Sequence, residues 1–283
     1  MLRIFVLTPW VLMIVLASQL FAAEKKELVF GAIAIGKVSE IKESLQPLLT
    51  HLESQTGTTI RFETGSDYAD TIEKFKSGYF DFGFIGPSPY VIATSGPDGA
   101  GLFHILGGLE TNGKPFFKAA IIAAKDNQAI NTLEDIKGKK FAFGSRESTL
   151  SFYMPCQMLL DSGVFPTLEK FDFLGKHDKV AKYVAMGGYD AGGIMEGVAK
   201  KNLDTIKIIA TSEPVYDFLF VAHKNMDKGQ ADALATAIQG VKAPEILTAI
   251  KPSATGIIAT QDSNYDGLRN VMEKVDKAIP QQP

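Results

Sequence analysis

The 283-residue chain is poor in cysteine, histidine and arginine. Its single cysteine, Cys156, excludes an internal disulfide and any cysteine-built metal centre. No two of His51, His104, His177 and His223 stand at an i, i+4 ligand spacing, so neither a structural zinc nor another cofactor is expected. The only arginines are Arg3, Arg61, Arg146 and Arg269, too scattered for a guanidinium clamp on phosphate. A net charge of −3 excludes a polyanion-binding surface, and nucleic acid is not expected as a partner. Low-complexity tracts, charge blocks and fixed-period repeats are also missing. What is present is 46% hydrophobic and 22% charged residues, the composition of a soluble globular chain with a sizeable core.

One long apolar run exists. Residues 1–23, MLRIFVLTPWVLMIVLASQLFAA, carry one early positive charge, an apolar stretch and small residues before EKKE. This is the layout of a secretory signal peptide, with cleavage expected after Ala22 or Ala23 and an uncleaved anchor as the alternative. Cleavage removes Trp10, the only tryptophan. An exported chain without disulfides suits a bacterial periplasm.

From residue 27 short apolar runs alternate with amphipathic ones, which predicts an α/β fold with mostly parallel sheets flanked by helices. Strands are expected at 27–33, 59–63, 80–86, 117–124, 139–144, 171–175 and 190–195, and two more bracket 206–223. Helices are expected at 70–76, 149–162 and 178–186. The stripe Ile41, Leu45, Leu48, Leu52 marks another, kinked or restarted near Ser44 because of Pro47. A helical tail is expected over 227–275. No linker cuts the chain, so two lobes joined by strands crossing near residues 117 and 211 are expected: 24–116 with 212–283, and 117–211.

Four polar loops fall between the carboxyl end of a strand and the amino end of a helix, where open α/β sheets bind ligands. Free N–H groups and the helix dipole favour an anion there. The loops are 65–68 with Tyr68, 86–90 with Gly86 and Ser88, 145–151 with Ser145, Ser148, Thr149 and Ser151, and 176–178 with His177. Each alone reads as a helix cap. Together they form a candidate oxyanion site of neutral donors, each charge-assisted hydrogen bond contributing roughly 1.5–3 kcal/mol. Arg146 beside Glu147 reads as a solvated ion pair. Cys156 reads as a small buried hydrophobe, and Phe116 and Phe117 as core or cleft wall.

Three strings, SDYADTIEKFKSGYFDFGFIGPSPYV, INTLEDIKGKKFAFGSRESTLSFYMP and GKHDKVAKYVAMGGYDAGGI, resemble the periplasmic phosphonate-binding proteins of ABC importers. That family includes phosphite- and phosphate-binding members. The resemblance implies a two-lobed type II periplasmic binding protein fold with two crossover hinge strands. It also implies a small phosphorus oxyanion as ligand, an inner-membrane permease as partner, and no catalysis; a monomer is expected. By the same resemblance Ser148, Thr149 and Ser151 grip the phosphonate oxygens, His177 and Tyr68 join them, and Glu196 and Asp217 face the amine of an aminophosphonate. With Gly86, Ser88, Phe117 and Ser145 from the loops and cleft wall, these make up the candidate site. The chain departs from the family pattern at Leu150, which displaces a hydroxyl, at Arg146 and Glu147, and at Phe117, where a tyrosine is usual. Other readings of the fold are a sensory binding protein feeding a membrane receptor and an importer component for a different small ligand. An exported hydrolase using Ser88 and His177 conflicts with the proline that follows the serine in GPSPY.

Overall fold

The computed structural model describes residues 27–33 and 37–279; the leader, its cleavage site and Trp10 lie outside the described residues. In chain order the strands are β1 (Glu27–Ala32), β2 (Thr59–Glu63), β3 (Phe82–Ile85), β4 (Phe103–Thr111), β5 (Phe116–Phe117), β6 (Ala119–Ala124), β7 (Lys140–Phe143), β8 (Lys170–Phe173), β9 (Ala191–Met195), β10 (Ile206–Thr211), β11 (Val215–Tyr216), β12 (Leu219–His223) and β13 (Ala254–Ile258). The α-helices are α1 (Val38–Thr56), α2 (Tyr68–Lys76), α3 (Pro87–Ala93), α4 (Met154–Asp161), α5 (His177–Ala185), α6 (Glu196–Lys200), α7 (Lys228–Gln239), α8 (Pro244–Ile250) and α9 (Asp266–Ala278).

The strands form two main sheets. The first has six strands in the order β13-β4-β12-β3-β1-β2, and the second five in the order β10-β6-β9-β7-β8. Both are mixed, which corrects the expectation of mostly parallel sheets. β1 is parallel to β2 and β3, and β7 to β8 and β9, but β12 runs antiparallel to β3 and β4, and β6 antiparallel to β9 and β10. The cause is the double crossing. β4 leads out of the first sheet and β12 leads back in, so they oppose each other; β6 and β10 do the same in the second. The crossing segments pair as a short antiparallel ribbon, with Phe117 opposite Val215 and Phe116 opposite Tyr216.

Helix α1 buries Leu45, Leu48, Leu49 and Leu52 and stops at Gly57, whose φ of 68° suits a residue without Cβ. It continues through Pro47 without a restart. Ser44 Oγ caps the Ile41 carbonyl at 2.9 Å, and buried leucines on both sides of the proline hold the helix against its neighbours. The tail is not continuously helical. Pro244 and Pro252 punctuate it, and β13 extends the first sheet by pairing with β4. The chain therefore closes that sheet with a strand before α9, which packs against both α3 and α4.

Candidate functional site

All four polar loops stand at helix starts. Asp67 caps α2, its side chain accepting from the Asp70 N–H at 2.9 Å, and Tyr68 leaves from the first turn. α3 begins with Pro87 after Gly86, and α5 begins at His177; neither has a side-chain cap, so their leading N–H groups are left to other partners. The expected helix over 149–162 opens instead with a π turn over Thr149–Tyr153. Pro155 explains it. Without an N–H, Pro155 cannot bond the Ser151 carbonyl, which accepts from Gly144 N–H at 3.1 Å, while Tyr153 N–H reaches back five residues to Ser148 O. The turn presses on the sheet so closely that a Cβ at Gly144 would lie 2.1 Å from Ser151 Oγ.

Between the two sheets these starts enclose a cavity with about 20 Å³ open to the centres of water molecules. Tyr68, Ser148, Thr149 and His177 supply its polar side chains, Gly86 its backbone, and Phe117 part of its wall. Ile33, Pro89, Leu150, Met195 and Phe218 complete the lining, and no charged side chain is among them. An anion here is met by neutral donors and helix N-termini.

His177 is set as a donor. Met195 N–H donates to Nδ1 at 2.9 Å, so the proton resides on Nε2, which lies 3.5 Å from Ser148 Oγ. Burial pushes its pKa down to about 4, which keeps the ring neutral at pH 7. Ser148 Oγ accepts from Ser151 N–H at 3.2 Å and also meets the Tyr68 hydroxyl. Burial first, and the Glu147 carboxylate further, push that phenol up to about 12, so it remains a donor.

Other predicted residues are placed differently. Ser88 does not line the cavity. Its N–H donates to Thr149 Oγ1 at 2.9 Å, its hydroxyl donates to Glu147 O at 2.6 Å, and the two hydroxyl oxygens stand 2.8 Å apart, a clasp between the sheets. Ser145 bonds the Glu147 carboxylate. Ser151 is fully buried behind the turn with no partner for its hydroxyl. Neither acid expected at a ligand amine reaches the cavity. Glu196 pairs with Lys200 at 2.9 Å. Asp217 is closed by Lys251 at 2.6 Å, Thr111 Oγ1 at 2.7 Å and Phe218 N–H at 2.8 Å. Arg146 does not pair with Glu147. It reaches Asp276 at 3.1 Å and the Ile279 carbonyl, both at the end of α9, and lies over the Phe152 ring. Cys156 is buried, and its thiol is pushed up to about 12 by burial. The apolar wall of Ile33, Pro89, Met195 and Phe218 was missed; Met195 and Phe218 sit where strands meet the crossings, and that position was the available signal.

A family model described as the periplasmic substrate-binding protein of phosphonate ABC transporters matches residues 30–265. The chain is 29% identical over 272 residues to the phosphate-import protein PhnD of Mycolicibacterium smegmatis, covering 86% of this chain and 84% of that protein. Its fold is similar to PhnD1 of Prochlorococcus marinus, solved in complex with methylphosphonate, with a TM-score of 0.80 at 21% identity over 90% of this chain and all of that one. A binding-protein component of an ABC phosphonate transporter from Pseudomonas aeruginosa gives a TM-score of 0.77 at 20% identity, covering 90% and 89% of the two chains.

Proposed function

The chain belongs to the family of periplasmic substrate-binding proteins of phosphonate ABC transporters, and we propose that its ligand is a compact phosphorus oxyanion held in the cavity between the sheets. The observation that carries this reading is a narrow cavity ringed by uncharged donors and helix starts, with no acid among its lining residues. The His177 Nε2–H, the hydroxyls of Tyr68 and Ser148, and the free N–H groups of the π turn supply the bonds. Residues 24–116 with 212–283 and residues 117–211 act as lobes, and the Ser88–Thr149 clasp forms as they close. A permease in the inner membrane then takes the ligand from the closed form. The leader directs the protein to the periplasm and is cut after Ala22 or Ala23, and the protein works as a monomer.

With Asp217 and Glu196 already paired to lysines, a ligand amine has no partner, so plain ligands are expected to bind at least as tightly as aminated ones. The test is calorimetric titration with phosphate, phosphite, methylphosphonate and 2-aminoethylphosphonate. Binding of at least one, weakened in His177→Ala, is expected. Silence with all four, or a clear preference for the amine, would remove the reading.

A further inference from the structure

Beside the cavity, sharing Phe117 and Met195 with it, a groove of about 890 Å³ runs along the hinge. Its charge is one-sided: Lys114, Lys118, Lys200, Lys201 and Lys251 line it against a single acid, Glu196. Lys200 is paired with that acid, and Lys251 with Asp217 behind the wall. Lys114, Lys118 and Lys201 make no ion pair among the described residues.

The route between the two spaces is built from neighbouring residues. Ala119 of β6 pairs with Met195 of β9, and Glu196 N–H donates to Lys118 O at 2.9 Å. Phe117–Lys118 and Met195–Glu196 therefore run side by side, each leading from the cavity wall to the groove. Met195 is unbranched and can swing aside without disturbing a backbone bond. A cationic tail leaving the cavity would enter a field of unpaired ammonium groups, whereas an anionic tail would be drawn into it.

The geometry points to a ligand with two acidic ends: a phosphorus oxyanion in the cavity and, on a short tail, a carboxylate or second phosphorus acid beside Lys118 and Lys201. This rests on the phosphorus head occupying the cavity. The experiment titrates the full chain with methylphosphonate, phosphonoacetate and aminomethylphosphonate at low and high salt. Phosphonoacetate is expected to bind about tenfold tighter than methylphosphonate at low salt, the two converging as salt screens the groove. The double variant Lys118→Gln/Lys201→Gln should abolish that preference while leaving methylphosphonate affinity at high salt within about twofold, which also reports that the variant is folded. Equal affinities in the unaltered chain, a preference for the amine, or a carboxylate preference that survives removal of the two charges overturns the assignment while methylphosphonate binding leaves the cavity reading in place. Failure of all three compounds to bind overturns the assignment, and failure of phosphate and phosphite as well overturns the cavity reading too.

Discussion

His177 works as a neutral donor only while Met195 N–H occupies Nδ1 and the ring is dry. That arrangement has a pH signature. An unfolded histidine titrates near 6.5 and the folded one near 4, so between these values the unfolded state binds more protons. The contribution to stability is complete above pH 6.5 and is lost as pH falls through 4; the shift corresponds to about 3 kcal/mol. The denaturation midpoint of the ligand-free protein should drop across this window, and His177→Gln should flatten the drop; an unchanged slope would show that the ring is not held neutral. Ser148 combines two tasks, capping the π turn and meeting His177 and Tyr68. Ser148→Ala should cost about 1 kcal/mol of stability through the cap and about tenfold or more in ligand affinity through the lost bond. Calorimetry and melting on the same sample check both.

At the scale of the element, the π turn places the hydroxyls. Its cause is Pro155, and its fit depends on Gly144, where the Ser151 carbonyl and hydroxyl come against the end of β7. Pro155→Ala restores an N–H that can bond the Ser151 carbonyl and let the turn relax toward an α-helix. Affinity should fall while the melting temperature changes little, because the new bond replaces the one to Gly144. Gly144→Ala places a methyl against Ser151 and should cost about 1–3 kcal/mol together with ligand binding. If the alanine at 144 bound ligand as tightly as glycine, the turn would not be as closely seated as described.

For the whole molecule the question is what holds the two sheets together. Besides the Ser88–Thr149 clasp, α9 touches both sides. Its Asp276 meets Arg146 at 3.1 Å and Tyr153 Oη at 3.4 Å, Lys274 meets Asp161, and just ahead of the helix Asp262 accepts from Tyr90 Oη at 2.7 Å. The Arg146 side chain is only 16% exposed, while Asp276 is 41% exposed, so the pair is screened on one side and contributes about 1 kcal/mol or less. Under the proposed closure of the lobes, that suffices to shift the balance of open and closed forms severalfold. Asp276→Asn should enlarge the radius of gyration of the ligand-free protein in small-angle scattering and speed ligand release, with the ligand-bound radius unchanged. A radius identical to that of the unaltered chain with and without ligand would show that α9 has no part in closure.

The sequence by itself determined the local features. Hydrophobic period, glycine stops and capping residues are short-range consequences of backbone geometry, so α1, α2 and α5, the strands around them and the four loops at helix starts were legible without coordinates. The ordered strings also pointed to the family. β4 and β13 were not legible: Gly107 and Gly108 weaken one as a pattern, and the other becomes a strand only because β4 offers an edge. Tertiary structure alone decided the rest. It turned Asp217 away from the cavity toward Lys251, 34 residues later, sent Arg146 to Asp276, 130 residues away, and aligned lysines without an ion pair among the described residues beside the crossing strands. A charged side chain takes the partner that the crossing strands bring within reach, and no local pattern encodes that proximity.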